Sequence, residues 1–195
     1  EEKVVSNLVL RTLKVARYEA ENKGHFGIAS KYYCHFTSPI RRYPDLFIHR
    51  IISKYLENNY QLQPEEIEKY NEQAIKYAQS SSETEKIAQK VEREAEDMKK
   101  AEFMQDKIGE EFDGIISSVT SFGIFVELEN TVEGLIRWED LGDEYFIFDE
   151  KTKTAVGEKT KTKYQIGMPI HIQVIRADKN TREIDFRSTG TFLFG

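Results

Sequence analysis

The spacing of apolar residues along the chain changes near Gly109 and divides it into two parts. Before Gly109, apolar residues recur at intervals of three and four positions, which is the spacing of an amphipathic helix. After Gly109, apolar and polar residues alternate over short runs, which is the period of a half-buried strand. The pattern therefore predicts an α+β protein, with a helical domain at residues 1–108 and a β-rich domain at residues 109–190.

Two helices are predicted in the first third of the chain. Apolar residues at helical spacing indicate a helix that starts near the first residue and reaches about Ala20. Ser38 and Pro39 are favoured at an N-cap and a first helical position, so a second helix is predicted from there to about Asn58. Pro44 lies inside that stretch and is expected to bend the helix or delay its start.

Two further helices are predicted before Gly109. Pro64 begins the first of them, with two glutamates in the first turn where the helix dipole favours negative charge. Three serines, residues 80–82, interrupt the pattern, and Ser82 with Glu85 has the spacing of a capping box. The sequence therefore predicts a separate helix that begins at Ser82 and stops at Gly109.

The β-rich domain is predicted to contain five short strands in a five-stranded antiparallel barrel. The strands are expected at residues 112–119, 123–128, 134–137, 169–177 and 183–187. A meander with one long excursion is typical of a small closed barrel of the OB type, because closure removes exposed sheet edges. The excursion, residues 142–165, is predicted to be a long functional or mobile loop.

The charge of the chain argues against a nucleic-acid partner, but its distribution does not. The formal net charge is −6, and many of the acidic residues lie between residues 65 and 111. Basic residues cluster elsewhere, at Arg41 and Arg42 and in a group of lysines: Lys151, Lys153, Lys159, Lys161 and Lys163. Phosphate binding depends on the position of basic groups, so a nucleic-acid partner remains compatible with this charge.

The sequence favours a cytoplasmic protein without a membrane partner. No apolar run approaches the roughly 18 residues that a membrane span requires, and the N-terminus lacks signal-peptide organisation. The single cysteine, Cys34, excludes an internal disulfide bond and favours a reducing compartment.

A stripe of charged residues follows Ser38 and is a candidate anion site. On a helix, Arg41, Arg42, Asp45 and His49 fall within about 100° of one another. Two guanidiniums near a helix N-terminus can bind phosphate, and Asp45 is expected to orient Arg41. The same stripe also fits a structural network of salt bridges, and the residues alone leave both interpretations open.

The run HFTSPIRRYPDL, residues 35–46, resembles the signature of the RNase II/RNase R exoribonuclease family. This resemblance implies the end of a catalytic RNB domain, which hydrolyses RNA processively from its 3′ end to nucleoside 5′-monophosphates. It implies that Arg41 contacts the phosphate and that Arg42 and Asp45 position it. Glu92 is a further candidate acidic residue of the same channel.

The resemblance also implies Mg²⁺ in the intact enzyme, held by an aspartate cluster upstream of this motif. Nothing before residue 25 resembles that cluster, and no ligand spacing links the four histidines to Cys34. We therefore expect the chain to be a C-terminal fragment that binds no metal and is inactive by itself.

The motifs of the β-rich domain, at residues 112–116, 121–126 and 133–136, resemble an S1 domain, an RNA-binding barrel of the OB type. The resemblance implies an RNA-binding surface with Phe122, Phe125, Arg137 and Trp138, assisted by the five lysines of residues 151–163. The residues themselves leave open whether Phe125 is exposed on the RNA-facing surface or buried in the core. A phenylalanine at an alternating strand position is commonly a core residue.

The leading hypothesis is a fragment of a 3′→5′ exoribonuclease that binds single-stranded RNA, has no membrane partner and is expected to be a monomer. The ribosome and RNA-decay factors are further candidate partners. The alternative is a non-catalytic S1-type RNA-binding protein or regulator. A helical interaction module is a third possibility, which accounts for the acidic helices but not for the aromatic residues of the barrel.

Overall fold

The computed structural model describes residues 16–190, which belong to two compact units. Of the described residues, 16–91 form one unit and 92–190 form the other. The predicted first helix lies mostly outside the described residues. Residues 16–20 are not helical, so its predicted end at Ala20 is wrong.

The unit of residues 16–91 contains α1, Tyr43–Glu57, and most of α2, Pro64–Gln105. The segment before α1 is irregular apart from a 3₁₀ turn at Phe26–Ile28. The helix predicted from Ser38 thus begins five residues later, with Pro44 in its first turn. A helix from Pro39 through Pro44 would lose a backbone hydrogen bond and press the Pro44 ring against a carbonyl one turn earlier.

α2 is a single helix of 42 residues. The prediction of a break at residues 80–82 and a new helix at Ser82 is therefore wrong. The Ser82 hydroxyl donates to the Ala78 carbonyl at 2.8 Å, and the Thr84 hydroxyl lies 3.0 Å from the Ser80 carbonyl. Hydroxyls that bond to the preceding turn in this way let Ser and Thr remain inside a helix.

Five strands form the closed barrel of the other unit. They are β1, Glu111–Val119; β2, Gly123–Leu128; β3, Glu133–Arg137; β7, Pro169–Asp178; and β8, Glu183–Gly190. Their order around the barrel is β1-β2-β3-β8-β7. The predicted α+β fold with a small five-stranded barrel is confirmed, and each predicted strand lies within or matches an observed one.

One pair of strands departs from the predicted antiparallel arrangement. β3 and β8 are parallel, with Leu135 opposite Asp185, whereas the other four neighbouring pairs of the barrel are antiparallel. Strand direction cannot alternate at every step around a closed ring of five strands. Closure with an odd number of strands therefore requires a parallel pair.

The barrel interior is tightly packed around Phe186, which is fully buried. The backbone of Gly134 lies against the Phe186 ring, and a Cβ atom at this position would overlap it. Position 134 of β3 therefore requires glycine, because the Phe186 ring leaves no room for a side chain. Ile116, Ile124 and Ile172 are also fully buried, and they extend the core across three other strands.

The segment predicted to be a long loop folds into a second sheet instead. A short helix, α3, Trp138–Leu141, leads into β4, Phe146–Asp149, β5, Thr154–Gly157, and β6, Lys163–Gln165. These strands form an antiparallel sheet in the order β4-β5-β6, which we call the three-stranded sheet. Its inward residues Phe146, Ala155 and Tyr164 belong to the same buried core as the barrel, and this burial explains why the segment is ordered into strands.

Candidate nucleic-acid interface

The segment of residues 35–50 is organised around the fully buried carboxylate of Asp45. Its Oδ2 atom accepts hydrogen bonds from the Ser38 amide and from Nη2 of Arg42, each at 2.8 Å. Burial alone would raise the pKa of Asp45, but these two donors outweigh it and lower that pKa. Asp45 is therefore a charged group that fixes the turn in front of α1.

Arg41 is left without the partner that the sequence suggested. Its side chain is exposed and makes no hydrogen bond or ion pair with any residue of the described range 16–190. The expected orientation of Arg41 by Asp45 is wrong, because α1 starts at Tyr43 and Arg42 reaches the carboxylate instead. The guanidinium of Arg41 is thus exposed beside a fixed turn, where it can contact an anion.

His49 is held by Phe36 rather than by Asp45. Its Nε2 atom lies 2.8 Å from the Phe36 carbonyl oxygen, and the two rings stack at 4.2 Å. The stripe expected to share one helical face is consequently divided. Asp45 and His49 lie on α1 and fasten the preceding segment to it, while Arg41 precedes the helix.

A contact that the sequence interpretation missed joins Tyr18 and Glu85 in this unit. The Tyr18 hydroxyl donates to Oε2 of Glu85 at 2.8 Å, and burial together with Glu85 raises the pKa of Tyr18 to about 12. Tyr18 also contacts the edge of the His35 ring at 5.5 Å. Tyr18 and Glu85 are 67 positions apart, so no local pattern could have joined them.

Glu92 is exposed on α2 and belongs to the unit of residues 92–190, whereas Arg41 belongs to the other unit. Its assignment to the channel stays a prediction.

The barrel unit has a cavity of about 470 Å³ that brings together three of the predicted RNA-binding residues, Phe122, Phe125 and Arg137. The Phe122 ring is 52% exposed, and it meets the partly exposed Phe125 ring edge to face at 6.1 Å. Phe125 therefore lies at the surface and not in the core. Two aromatic rings beside a guanidinium form a surface on which a base can stack while its phosphate is neutralised.

Charged residues of the cavity wall come from three parts of the unit that the sequence interpretation did not connect. Asp185 accepts a hydrogen bond from Nε of Arg176 at 2.7 Å and lies 4.0 Å from Nη2 of Arg137. Arg182 forms an ion pair with Glu94 at 2.9 Å. Lys100, on α2, also lines the cavity. These charges meet only because the barrel packs against the end of α2.

The remaining predicted RNA-binding residues lie outside the lining of this cavity. Nε1 of Trp138 donates to the Ser121 carbonyl at 2.9 Å, and its ring stacks on Phe146 at 5.0 Å, so Trp138 packs between the barrel and the three-stranded sheet. The lysines belong to the three-stranded sheet and its turns: Lys151, Lys153, Lys159, Lys161 and Lys163. An RNA-binding role for these six residues stays a prediction.

Neither a metal centre nor a membrane span is found in the described part of the chain. Within residues 16–190, no group of three or more His, Cys, Asp or Glu side chains could hold a metal ion. No helix in the same range is long and apolar enough to cross a membrane. The side chains of residues 16–190 therefore do not fit the magnesium site that the family resemblance implies.

The closed five-stranded barrel with its aromatic cavity is the architecture of an S1-type RNA-binding barrel. Residues 105–187 match the S1 RNA binding domain, and residues 1–58 match the RNB domain. These matches confirm the resemblance to the RNase II/RNase R family and do not favour a non-catalytic S1-type regulator. The chain resembles the C-terminal part of ribonuclease R.

Similar proteins agree on this resemblance. The chain is 48% identical to Ribonuclease R 1 of Lactococcus lactis over 95% of its own length and 22% of that protein. It is 44% identical to ribonuclease R of Ureaplasma parvum, over 94% of this chain and 25% of the relative. The apo form of Mycoplasma genitalium RNase R has a TM-score of 0.86 and 34% identity, over 95% and 29% of the two chains. The chain thus spans about a quarter of the length of these relatives.

Proposed function

We propose that the chain is part of a 3′→5′ exoribonuclease that hydrolyses RNA processively to nucleoside 5′-monophosphates. The joint presence of RNB and S1 segments supports this function. Mycoplasma genitalium RNase R has been solved with ribose-methylated single-stranded RNA, at a TM-score of 0.86 to this chain and 34% identity. The same enzyme has been solved with double-stranded RNA, at a TM-score of 0.69.

The barrel binds single-stranded RNA in this proposal, and the cavity beside Phe122 is the observation that carries it. Bases stack on Phe122 and Phe125, and Arg137 contacts a phosphate. The exposure of the Phe122 ring supports this role, because an apolar ring of that size gains free energy when a base covers it. The lysines of the three-stranded sheet supply further positive charge for the RNA phosphates in this proposal.

Arg41 contacts the phosphate at the reacting end of the RNA. Its lack of an intramolecular partner in the described structure supports this role, since its guanidinium needs no ion pair to be broken before it binds. Arg42 and Asp45 act through the turn that they fix. Glu92 and Trp138 remain candidates for RNA contacts.

Mg²⁺ belongs to the intact enzyme in this proposal, with ligands outside the described residues. The 195-residue chain by itself binds RNA and does not hydrolyse it. We also propose a cytoplasmic, monomeric protein, with the ribosome or RNA-decay factors as further partners.

The proposal is tested by binding of a labelled oligouridylate to the 195-residue chain and to Phe122→Ala. Loss of one stacked base lowers the binding free energy by about 1–3 kcal/mol. Phe103→Ala is a matched control, because Phe103 is 53% exposed and lies outside the cavity lining. Equal affinities of the two variants would contradict the proposal, and thermal melting of each variant checks that the barrel remains folded.

A further inference from the structure

The segment that carries Arg41 ends in a hydrogen-bonded turn whose position depends on Ser38. The Ser38 carbonyl accepts hydrogen bonds from the amides of Arg41 and Arg42, at 3.3 and 2.9 Å. The Ser38 amide donates to Asp45 on α1 at 2.8 Å. A shift of Ser38 therefore moves the backbone of Arg41 as well. Asp45 supports this turn from α1, whereas the residues on the N-terminal side of Ser38 have a different support, which comes from α2.

That support begins with Tyr18, which is bound to α2 through both its backbone and its side chain. The Tyr18 amide donates to Oγ of Ser82 at 3.0 Å, and the Tyr18 hydroxyl donates to Oε2 of Glu85 at 2.8 Å. Ser82 and Glu85 are separated by one helical turn and therefore lie on one face of α2. Burial and the Glu85 carboxylate raise the pKa of Tyr18 to about 12, so the hydroxyl remains a donor at neutral pH. The Tyr18 ring is consequently fixed relative to α2.

This ring contacts the N-terminal end of the segment in front of α1. It meets the His35 ring edge to face at 5.5 Å, and Tyr33 meets the same histidine ring at 5.7 Å. Nδ1 of His35 is buried and has no hydrogen-bond partner within residues 16–190, so the ring contacts, and not a hydrogen bond of this atom, position His35. Tyr18 is also close enough to the Asp45 carboxylate to interact with it electrostatically. Tyr18 therefore lies beside the turn that Asp45 stabilises.

We propose that Tyr18 is a positioning residue for Arg41. It packs against His35 and so supports from α2 the segment that Asp45 supports from α1. Tyr18 acts through the backbone of this segment and not by contact with the substrate. The inference rests on the proposed function, because it takes Arg41 as the phosphate contact. A displacement of about 1 Å at a reacting group can cost about 10²-fold in rate, so the loss of Tyr18 should affect turnover more than binding.

The test uses a full-length enzyme that contains this chain, with kcat and KM measured on a labelled oligouridylate in the presence of Mg²⁺. Tyr18→Ala removes both the ring and the hydroxyl, whereas Tyr18→Phe retains the ring. Glu85→Ala removes the hydrogen-bond acceptor of Tyr18, and Glu85→Gln retains an acceptor oxygen. Tyr55→Ala is the matched control, because Tyr55 lies near the C-terminal end of α1 and its ring contacts Tyr60 at 5.8 Å. The Tyr18 and Glu85 variants are also made in combination with Arg41→Lys.

We expect Tyr18→Ala to lower kcat about tenfold or more while KM changes less than about twofold, because the barrel still binds the strand. Tyr18→Phe and Glu85→Ala should have smaller losses, and Glu85→Gln and Tyr55→Ala should retain turnover. Added to Arg41→Lys, Tyr18→Ala should lower kcat by less than about twofold further, since a residue that acts through the Arg41 guanidinium has no effect once that group is absent.

Equal fractional losses with Arg41 and with Arg41→Lys overturn the proposal, because they indicate a role of Tyr18 in general stability. An unchanged kcat of Tyr18→Ala also overturns it, as does a rise of KM alone. Thermal melting shows whether each variant folds. If Tyr18→Ala does not fold, Glu85→Ala and Glu85→Gln are compared in the same way, and equal turnover of these two variants overturns the proposal.

Failure of the proposed function is distinguished by Arg41→Lys alone. Full turnover of that variant contradicts the phosphate contact by Arg41. A large loss of turnover in Arg41→Lys without a loss in Tyr18→Ala contradicts only the positioning of Arg41 by Tyr18.

Discussion

The two units of the chain stabilise their functional residues in different ways. In the barrel unit, eighteen buried residues form one core cluster from Ala101 to Phe186, and the cavity lies on the outside of that core. In the described part of the other unit, residues 16–91, only Asp45 and Phe47 are buried. Phe26 and Ile40 of this unit are fully exposed. The barrel is thus stabilised by apolar burial, whereas the segment around Arg41 depends on a few polar contacts.

This difference predicts different sensitivities to substitution. A unit with a densely packed core tolerates changes of its surface residues, because packing of the core holds the backbone in place. A turn fixed by one buried carboxylate loses its geometry when that carboxylate changes. The following experiments test this contrast, in order of decreasing expected effect.

Phe186→Ala should have the largest effect. We expect it to lower the free energy of unfolding of the barrel by about 3–5 kcal/mol, because it removes a fully buried ring and leaves a cavity. Urea denaturation followed by fluorescence of the single tryptophan, Trp138, reports on this unit. Phe122→Ala is the surface control and should change stability much less. A loss below about 1 kcal/mol for Phe186→Ala would show that apolar burial is not the main source of stability.

Arg41→Lys tests the functional residue of the weakly buried unit. In a full-length enzyme that contains this chain, we expect turnover to fall by about 10²–10³, because lysine keeps the charge but loses the bidentate guanidinium. RNA affinity should change little, since the barrel still binds. Arg50→Lys is the matched control on α1, where Arg50 is exposed and lies over the Tyr43 ring. Small and equal changes of turnover and affinity would assign Arg41 a structural role.

Asp45→Asn should have an intermediate effect that is confined to the turn. The substitution leaves Arg42 partly buried without its counter-charge, and we expect a cost of about 1–3 kcal/mol. Because folding lowers the pKa of Asp45, its contribution is present above the ordinary aspartate pKa of about 3.9 and is lost as pH falls through the folded value. Hydrogen exchange of the Ser38 amide measures this effect. Unchanged protection of this amide in Asp45→Asn would show that Asp45 does not fix the turn in front of α1.

His171→Gln should have the smallest effect, and it lies in the barrel unit. Nδ1 of His171 is 2.5 Å from Asp113 and Nε2 is 3.2 Å from Glu111, and these carboxylates raise the pKa of His171. The stabilisation is therefore fully present below the ordinary histidine pKa of about 6.5 and is lost as pH rises through the folded value. The melting temperature of the unchanged chain should fall more between pH 6 and pH 8 than that of His171→Gln. Parallel pH profiles would show that the pair contributes nothing.

The sequence by itself determined the elements whose formation depends on neighbouring residues. Alternation placed β2 at its observed bounds, Gly123–Leu128, because each strand position faces either the core or the solvent. Pro64 and its two glutamates likewise marked the start of α2, since proline and acidic residues are favourable in a first turn. The motifs around Arg41 and Phe122 also identified the two segments that similar proteins share.

Only the tertiary structure decided which side chains meet. Because α1 starts at Tyr43, Asp45 forms its ion pair with Arg42, and Arg41 stays exposed. The Ser82 hydroxyl donates a hydrogen bond within α2 and does not cap a new helix. Residues 146–165 became a sheet because Phe146, Ala155 and Tyr164 could be buried against the barrel. These outcomes depend on contacts between residues that are distant in the chain. The free energy of such contacts exceeds that of the local conformational preferences that a sequence pattern reflects.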